Sequence, residues 1–450
     1  MNGAHCLESL RPCFEGAIPT AIATCAPDGT PNVTLVSQVH YVDRNHVALT
    51  FQFFNKTREN ILANPQATAL IIHPETGARF RLALLYRRTE TAGPLFESMK
   101  AKLAGIASQV GMSGVFRLQG SDVYQVLDIE PLPGAEIAPA RCSPNRLAAL
   151  RQVAGRIAAC SDLASLLEQT LEGLEAGFGF DHAMILFADP GGHRLYTVAT
   201  RGYAQSGIGS EFPFGRGIIG VAAEVRTPIR ILFMAQEYAY GQAIREHLAE
   251  AGLADPLETG IPFPGLAAPH SQLAVPMVAA GRLVGVLHVE SPAAGRFDYD
   301  DEDALVALAT LLAEATLALQ QAADCQAEEA RADNVPAPRP GAPLAVKFYP
   351  ANCSVFLGED YLIKGVAGAI FWRLLQLREE EGRSEFSNRE LRLDPALKLP
   401  DIDDNLEARL ILLQRRLAER GGAISIEKTG RGRFRLLVQR PLLRQELPCR

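Results

Sequence analysis

Three stretches with different patterns of apolar and polar residues follow one another along the chain of 450 residues. In the first, short β-prone apolar runs between residues 18 and 73 alternate with turn signals such as Asp28-Gly29. A polar stretch that opens at residues 55–57 and closes at Pro65 has the pattern of a short helix. The first stretch is therefore predicted to be rich in strands.

The middle stretch, residues 145–320, begins and ends with helical periodicity. Gly281 supplies the positive φ that a tight hairpin turn between two apolar runs needs. The predicted strands are residues 182–188, 194–200, 272–278 and 283–289. The pattern predicts helices on either side of a set of strands.

The last stretch, residues 345–440, combines short strands, amphipathic helices and a hairpin. Ser387, with Glu390 three residues later, predicts a capping box at the start of a helix. Another helix, residues 403–420, is predicted to end at Gly421-Gly422. The hairpin strands are predicted at residues 424–428 and 433–438.

Two segments without an apolar period separate these stretches. Residues 131–144 are rich in Pro and Ala, and residues 324–343 end in a Pro-rich run that favours an extended spacer. We therefore expect a multidomain protein with domains at residues 10–130, 145–322 and 345–440.

Charge is distributed unevenly between these domains. The net charge is −7, yet residues 341–450 contain 19 basic and 15 acidic side chains, whereas the rest contains 25 basic and 36 acidic ones. The basic excess is strongest in residues 405–450, with 11 basic against 4 acidic side chains. Such asymmetry indicates a polyanionic partner for the C-terminal end.

Targeting and metal signals are weak in this sequence. No run of eighteen apolar residues occurs, and residues 1–12 lack the basic and apolar parts of a signal peptide, so we expect no membrane span and a cytoplasmic location. The eight cysteines form no CxxC pair, which argues against a structural metal and favours reduced thiols. A redox or cluster group of Cys6, Cys13 and Cys25 with His5 is the alternative.

Residues 10–130 resemble the pyridoxamine-5′-phosphate-oxidase-like split barrel, a family of flavin-binding β-barrels. The resemblance rests on the DG hairpin, the strand that ends before Asn55-Lys56-Thr57, and the helix that ends in Asn64-Pro65. It implies FMN as cofactor, with haem as the alternative, because relatives also bind haem. The implied contacts are Ser37, Gln38, Phe51 and Gln52 for the ring, and Asn55, Lys56 and Thr57 for the phosphate.

Two interpretations of the 55–57 turn remain open. A lysine charge, a hydroxyl and free backbone N–H groups at a helix start suit a phosphate. The same groups could merely cap the helix, with Lys56 in solvent. After Leu127 we find no C-terminal substrate-binding segment of the true oxidases, so oxidation of a vitamin B6 phosphate is not expected.

Residues 145–322 resemble a GAF domain, a small-molecule and signalling module. The resemblance rests on FPFGRGIIGVAAEVRTPIRI, LAVPMVAAGRLVGVLHVES and FDYDDEDALVALATLLA. It implies an α/β fold, an antiparallel sheet with helices on one face and a pocket for an unknown small molecule on the other. The candidate pocket residues are Tyr238, Tyr240, His247 and His270, each of which could instead be an ordinary surface or packing residue.

Residues 345–440 resemble the α+β winged-helix domain of response-regulator transcription factors. The matching stretches are LEARLILLQRRLAERGG, for a recognition helix, and ISIEKTGRGRFRLL, for a basic wing. The resemblance implies a helix in the major groove and a wing on the DNA backbone. The implied DNA-binding residues are Asn405, Arg409, Arg416, Arg420, Lys428, Arg431 and Arg433. A winged helix used for protein contacts is the alternative.

The helices that flank the middle domain have apolar residues at the spacing of a helix–helix seam. We expect this seam to form a homodimer, and the alternative is that it packs on the domain's own sheet. The seam residues are Leu147, Leu150, Ala154 and Ile157, then Leu305, Leu308, Leu312, Ala315 and Leu319.

Together these features predict a cytoplasmic one-component transcriptional regulator in which barrel and GAF sensory domains control a DNA-binding winged helix. No catalytic signature is apparent, which shifts weight away from an enzyme. Two alternatives remain: a flavin-dependent oxidoreductase with regulatory domains, and a signalling adaptor that does not bind DNA.

Overall fold

A computed structural model describes most of the chain. The described residues are 6–15, 18–36, 39–51, 56–109, 118–134, 137, 145–189, 191, 193–233, 261–325, 343–397, 406–430 and 432–447. They form an N-terminal, a middle and a C-terminal unit, each built around its own sheet or sheets.

The N-terminal unit is a seven-stranded antiparallel sheet in the order β2-β1-β5-β6-β7-β4-β3. Its strands are β1 (Thr20–Cys25), β2 (Pro31–Val36), β3 (Val39–Asp43), β4 (His46–Phe51), β5 (Gln66–Ile72), β6 (Arg79–Glu90) and β7 (Gly120–Leu132). Its helices are a 3-10 helix (Leu7–Phe14), α1 (Lys56–Ala63) and α2 (Pro94–Gln109). Alternating burial along β1 and β5 sends every second side chain into a core around Phe14, Ile22 and Tyr124.

The middle unit is a six-stranded antiparallel sheet in the order β10-β9-β8-β13-β12-β11. Its strands are β8 (His182–Asp189), β9 (Arg194–Arg201), β10 (Glu211–Pro213), β11 (Ile229–Ile231), β12 (Ser271–Ala279) and β13 (Arg282–Ser291). Its helices are α3 (Arg146–Ala159), α4 (Leu163–Gly173), a π-helical turn (Leu174–Phe178), α5 (Gly217–Val225) and α6 (Tyr299–Cys325). Helices α3, α4 and α6 cover one sheet face, and α5 covers the other.

The C-terminal unit contains two small sheets, in the orders β16-β15-β14-β20 and β17-β19-β18. Its strands are β14 (Leu344–Tyr349), β15 (Ser354–Leu357), β16 (Asp360–Ile363), β17 (Glu385–Ser387), β18 (Ile424–Gly430), β19 (Arg433–Val438) and β20 (Leu442–Glu446). Its helices are α7 (Gly365–Glu381), α8 (Asn388–Leu393) and α9 (Leu406–Glu419). Strand β20 lies beyond the predicted boundary at residue 440 and pairs in parallel with β14.

Two local predictions need correction. The single strand predicted over residues 32–42 is two strands, β2 and β3, on opposite edges of the described sheet. Only half of the predicted capping box forms as expected: the Ser387 hydroxyl accepts from the Glu390 N–H at 3.3 Å, whereas the Glu390 carboxylate pairs with Arg383.

The helix seam proposed for dimerisation is used inside the chain. Leu305, Leu308 and Leu312 of α6 are fully buried in the core that includes the middle unit's own sheet. They are therefore not available to a second chain, because a packed core leaves no room for further side chains. Leu147 of α3 is 77% exposed and takes no part in that core.

The N-terminal and middle units share a buried boundary. Helix α2 places Ala101 in the apolar cluster under α5. The Arg230 guanidinium lies 2.8 Å from Glu15 and 2.6 Å from Glu302; Arg230 and Glu15 are buried and Glu302 is half-buried. A buried guanidinium needs such carboxylate partners, so this boundary is chemically specific.

No helix in the described ranges is long and apolar enough to cross a membrane. The same ranges contain no group of three His, Cys, Asp or Glu side chains placed to hold a metal ion. Cys13 is buried, Cys6 is exposed and Cys25 is half-buried, all as free thiols.

Candidate functional site

The start of α1 is the one part of the implied flavin site that the structure describes with side chains. Lys56 is exposed, and its ammonium lies 3.5 Å from the Glu59 carboxylate, a long surface pair. The first N–H groups of an α-helix have no partner within the helix, so an anion can accept from them. Thr57 faces inward, and its hydroxyl accepts from the Asn32 side chain at 2.9 Å.

The side chains beneath this helix start are polar and tightly connected. Asn60 is 1% exposed and donates to the Thr24 hydroxyl at 3.1 Å. Its Oδ1 atom has no partner among the described residues. Arg58, the remaining cation of the helix start, is held by both oxygens of Asp122 at 2.5 and 2.6 Å. Lys56 is therefore the cation of this turn that is placed to meet an incoming anion.

Most of the other implied flavin contacts lie outside the described residues. Ser37, Gln38, Gln52 and Asn55 lie outside the described residues. Phe51 is the last residue of β4 and pairs through its backbone with Gly120. The assignments at these positions stay predictions.

The middle unit contains a buried polar cluster on the sheet face that α5 covers. Register places Gln272, Glu290 and His182 side by side across β12, β13 and β8. His288 lies two residues before Glu290, so its side chain points to the same face. The Tyr203 ring meets the His182 ring edge-on, with centroids 5.5 Å apart.

Glu290 is the titratable centre of this cluster. Its carboxylate accepts from the Leu266 N–H at 2.8 Å, and the Tyr203 hydroxyl faces it. Burial outweighs both favourable contacts and raises the pKa of Glu290 from 4.5 to about 7. The carboxyl therefore changes its charge near neutral pH.

His288 is held neutral in the same cluster. It is 1% exposed, and burial lowers the pKa of its imidazole to about 3. Its Nε2 atom lies 3.3 Å from the Gln272 side-chain oxygen, and its Nδ1 atom has no partner among the described residues. A buried ring nitrogen without a partner is a place where a polar ligand could bond.

The residues that the sequence predicts for the ligand pocket of the middle unit are not those of the buried polar cluster. Tyr238, Tyr240 and His247 lie outside the described residues. His270 is exposed just before β12, where its N–H donates to the Ser291 carbonyl, so the structure does not bring it into the cluster. The signal that could have found the cluster is polar residues at every second position in the otherwise apolar strand β13.

Helix α9 carries the arginines assigned to DNA. Arg409 and Arg416, which the resemblance assigns to DNA, are only 7% and 6% exposed in this structure. Arg409 lies over the Tyr196 ring at 3.9 Å and 3.4 Å from Asp189, both in the middle unit. Arg416 donates to the Leu362 carbonyl at 3.1 Å.

The remaining assigned residues lie nearer the surface. Arg420 is 3.6 Å from Asp360, and Lys428 is 3.4 Å from Glu407. Arg433 is half-buried at the start of β19. Asn405 and Arg431 lie outside the described residues.

A cavity of about 450 Å³ lies where the middle and C-terminal units meet. Ser206 and Pro262 line it from the middle unit, and Tyr361, Arg416 and Arg420 line it from the C-terminal unit. Its volume is within the range of small-molecule sites.

Comparison with known families identifies two of the units. Residues 7–127 match the pyridoxamine 5'-phosphate oxidase family, and residues 160–316 match the GAF domain family. The chain thus contains an oxidase-like N-terminal domain and a GAF domain. No curated protein matches the chain.

Solved structures resemble parts of the chain. The GAF domain of a phosphoenolpyruvate-protein phosphotransferase from Coxiella burnetii is 25% identical, with 40% of this chain and 95% of that chain covered and a TM-score of 0.30. Free methionine-R-sulfoxide reductase from Neisseria meningitidis is 22% identical, with 41% and 98% covered and a TM-score of 0.30. An FMN-binding protein from Syntrophomonas wolfei is 16% identical, with 28% and 92% covered and a TM-score of 0.23.

Proposed function

We propose that the chain is a sensory transcriptional regulator. The oxidase-like domain holds a flavin, the GAF domain senses a small molecule, and the C-terminal unit is a winged-helix DNA-binding domain. The observation that carries this proposal is direct contact between helix α9 of the C-terminal unit and the GAF domain. A sensor and an effector that share an interface can influence each other's state.

The order of elements supports a winged helix. Short strands β14–β16 precede the helices α7, α8 and α9, and the β18–β19 hairpin follows them. The short strand β17 pairs with β19 and fixes the hairpin beside the helices. A winged helix uses its last helix for the major groove and its hairpin for the backbone.

Binding to a mixed-sequence DNA duplex tests the effector role. We expect affinity to fall steeply between 50 and 200 mM salt, because phosphate contacts release counterions. Lys428→Gln in the hairpin should reduce the salt slope by about one. Arg151→Gln, an exposed position on α3, makes the same change in charge and should leave the slope unchanged. Absence of binding even at 20 mM salt, both in the wild type and in a variant whose contacts between α9 and the GAF domain are weakened by substitution, would remove the DNA role.

The described residues at the start of α1 fit a flavin phosphate. Lys56 would supply the charge and the first turn of α1 the N–H donors, while the buried Thr24–Asn60 pair fixes the helix on β1. When bound, the flavin supplies the electron-accepting chemistry of a redox sensor.

Reconstitution with FMN, followed by visible absorption, tests the cofactor. Lys56→Met should weaken FMN binding about tenfold, as expected for the loss of one charge-assisted contact. Lys100→Met is the matched control, since Lys100 forms a similar exposed pair with Glu97 on α2. A protein that stays colourless with FMN refutes the flavin, and a Soret band after haem addition would favour haem instead.

Homodimerisation stays part of the proposal. The apolar residues that α3 and α6 leave exposed, Leu147, Val306 and Leu311, are those available to a second chain. Light scattering that shows a monomer at micromolar concentration would contradict it.

A further inference from the structure

Helix α9 packs against two different surfaces. Leu406, Leu410, Leu413 and Leu417 lie on one face and are buried in an apolar core that includes the helices and strands of the C-terminal unit. The other face contains Leu412, which is only 3% exposed and lies against Gly209 of the middle unit. A leucine that is buried on this second face must be covered by a second body. The second body here is the GAF domain.

Polar contacts fix this second face at specific points. The Arg415 guanidinium donates to the Val198 carbonyl at 2.6 Å. Val198 is the extra residue of a β-bulge between β8 and β9, so it has no opposite residue on β8. At the end of the helix, the Ser206 hydroxyl donates to Glu419 at 2.6 Å. Together with Arg409 on Tyr196 and Asp189, these contacts span the whole helix.

Acidic residues of the middle unit also pair with lysines that lie outside helix α9. Lys364, just before α7, lies 3.1 Å from Glu211. Lys428 of the hairpin lies 4.0 Å from Asp162, the residue that caps α4. The middle unit thus presents carboxylates to both the helix and the hairpin, the two elements that a winged helix turns toward DNA.

We infer that the structure is a closed state in which the GAF domain and a DNA backbone compete for one basic face of the C-terminal unit. This inference rests on the proposed DNA-binding function. Arg409 and Arg415 cannot contact phosphate while Asp189 and the Val198 carbonyl occupy them. DNA binding therefore requires α9 to leave the GAF domain. A ligand that favours the released state raises the affinity of the protein for DNA. DNA must then raise the affinity of the protein for that ligand by the same factor.

The first experiment loosens the interface from the GAF side. The double substitution Asp189→Asn with Glu211→Gln removes two carboxylates without changing a residue of the C-terminal unit. We expect a larger radius of gyration by small-angle X-ray scattering and about a tenfold gain in affinity for a mixed-sequence duplex, within the usual range of such couplings. The control Glu90→Gln with Glu130→Gln makes the same charge change on strands β6 and β7 of the N-terminal unit and should alter neither the radius of gyration nor the DNA affinity.

The second experiment uses the unaltered protein. If the contact of α9 with the GAF domain and its contact with DNA exclude each other, a saturating amount of duplex must increase hydrogen exchange in residues 194–210, which include the Val198 bulge. Unchanged hydrogen exchange in the DNA-bound protein would overturn the closed state. So would a variant that expands but binds DNA no more tightly than a wild type that itself binds DNA. No DNA binding by an expanded variant would instead overturn the proposed DNA function itself.

Discussion

Glu290 gives the middle unit a pH-dependent stability that one substitution should remove. Its folded pKa is raised from 4.5 to about 7 by burial, so the folded protein binds a proton more tightly than the unfolded chain does. The favourable contribution is therefore complete below pH 4.5 and is lost as the pH rises through 7. The full loss is roughly 3 kcal/mol, at 1.36 kcal/mol for each tenfold change in proton affinity.

The substitution Glu290→Gln keeps an oxygen that can accept from the Leu266 N–H but cannot ionise. We expect the difference in unfolding free energy between variant and wild type to grow by about 2.5 kcal/mol, in favour of the variant, between pH 5 and pH 8. Urea unfolding followed by far-ultraviolet circular dichroism at several pH values measures this difference. Comparison of two proteins at each pH cancels every other titrating group.

Glu314→Gln is the matched control, because it makes the same substitution at an exposed position on α6, outside the buried cluster. Parallel pH profiles of the wild type and Glu290→Gln would refute the reasoning, because they would mean that the carboxyl is equally acidic in both states. An effect in which the variant loses stability at high pH would refute the sign of the argument. The full chain serves in every measurement, since the units share buried contacts.

Two further substitutions test the sheets on which the sites depend. Asp122→Asn removes the carboxylate that pairs with the half-buried Arg58 guanidinium, and it should lower the unfolding free energy by about 3 kcal/mol. Glu130→Gln, in an exposed pair on the same strand, should cost less than about 1 kcal/mol, and denaturant titration compares the two variants. Gly285→Ala would place a Cβ 2.0 Å from a backbone carbonyl of the neighbouring strand and should lower the melting temperature strongly. Gly281→Ala, at a turn with open space around it, should lower the unfolding free energy by only about 1 kcal/mol. Equal effects of the two substitutions would contradict the placement of Gly285 within β13.

Local patterns predicted the local elements well. The Asp28-Gly29 and Gly281 turns each join two strands, and both glycines have positive φ. Helix α9 ends one residue before the predicted end, and Gly421 and Gly422 follow it with positive φ. These features succeed because a turn or a cap is decided by neighbouring residues.

Contacts between distant parts of the chain could not be predicted in this way. Glu15 pairs with Arg230 across 215 positions, and Arg415 reaches Val198 across 217 positions. The Glu290 cluster likewise assembles only when β8, β12 and β13 are placed side by side. Periodicity assigns a residue to a face of its own helix or strand, but it does not say what that face meets.

The arginines of α9 show why this limit matters for function. Their pattern indicates an exposed basic face, and a free winged helix would present one to DNA. In the proposed closed arrangement, acidic residues outside the C-terminal unit supply partners for its basic side chains. Asp189 pairs with Arg409 of α9, and Glu211 pairs with Lys364 just before α7. Under the proposed function, the uneven charge along the sequence serves both to attract an outside polyanion and to hold domains of one chain together. The free-energy difference between the closed arrangement and the released one decides which of these two attractions prevails. A sensory ligand can change that difference only by binding one of the two arrangements more tightly than the other.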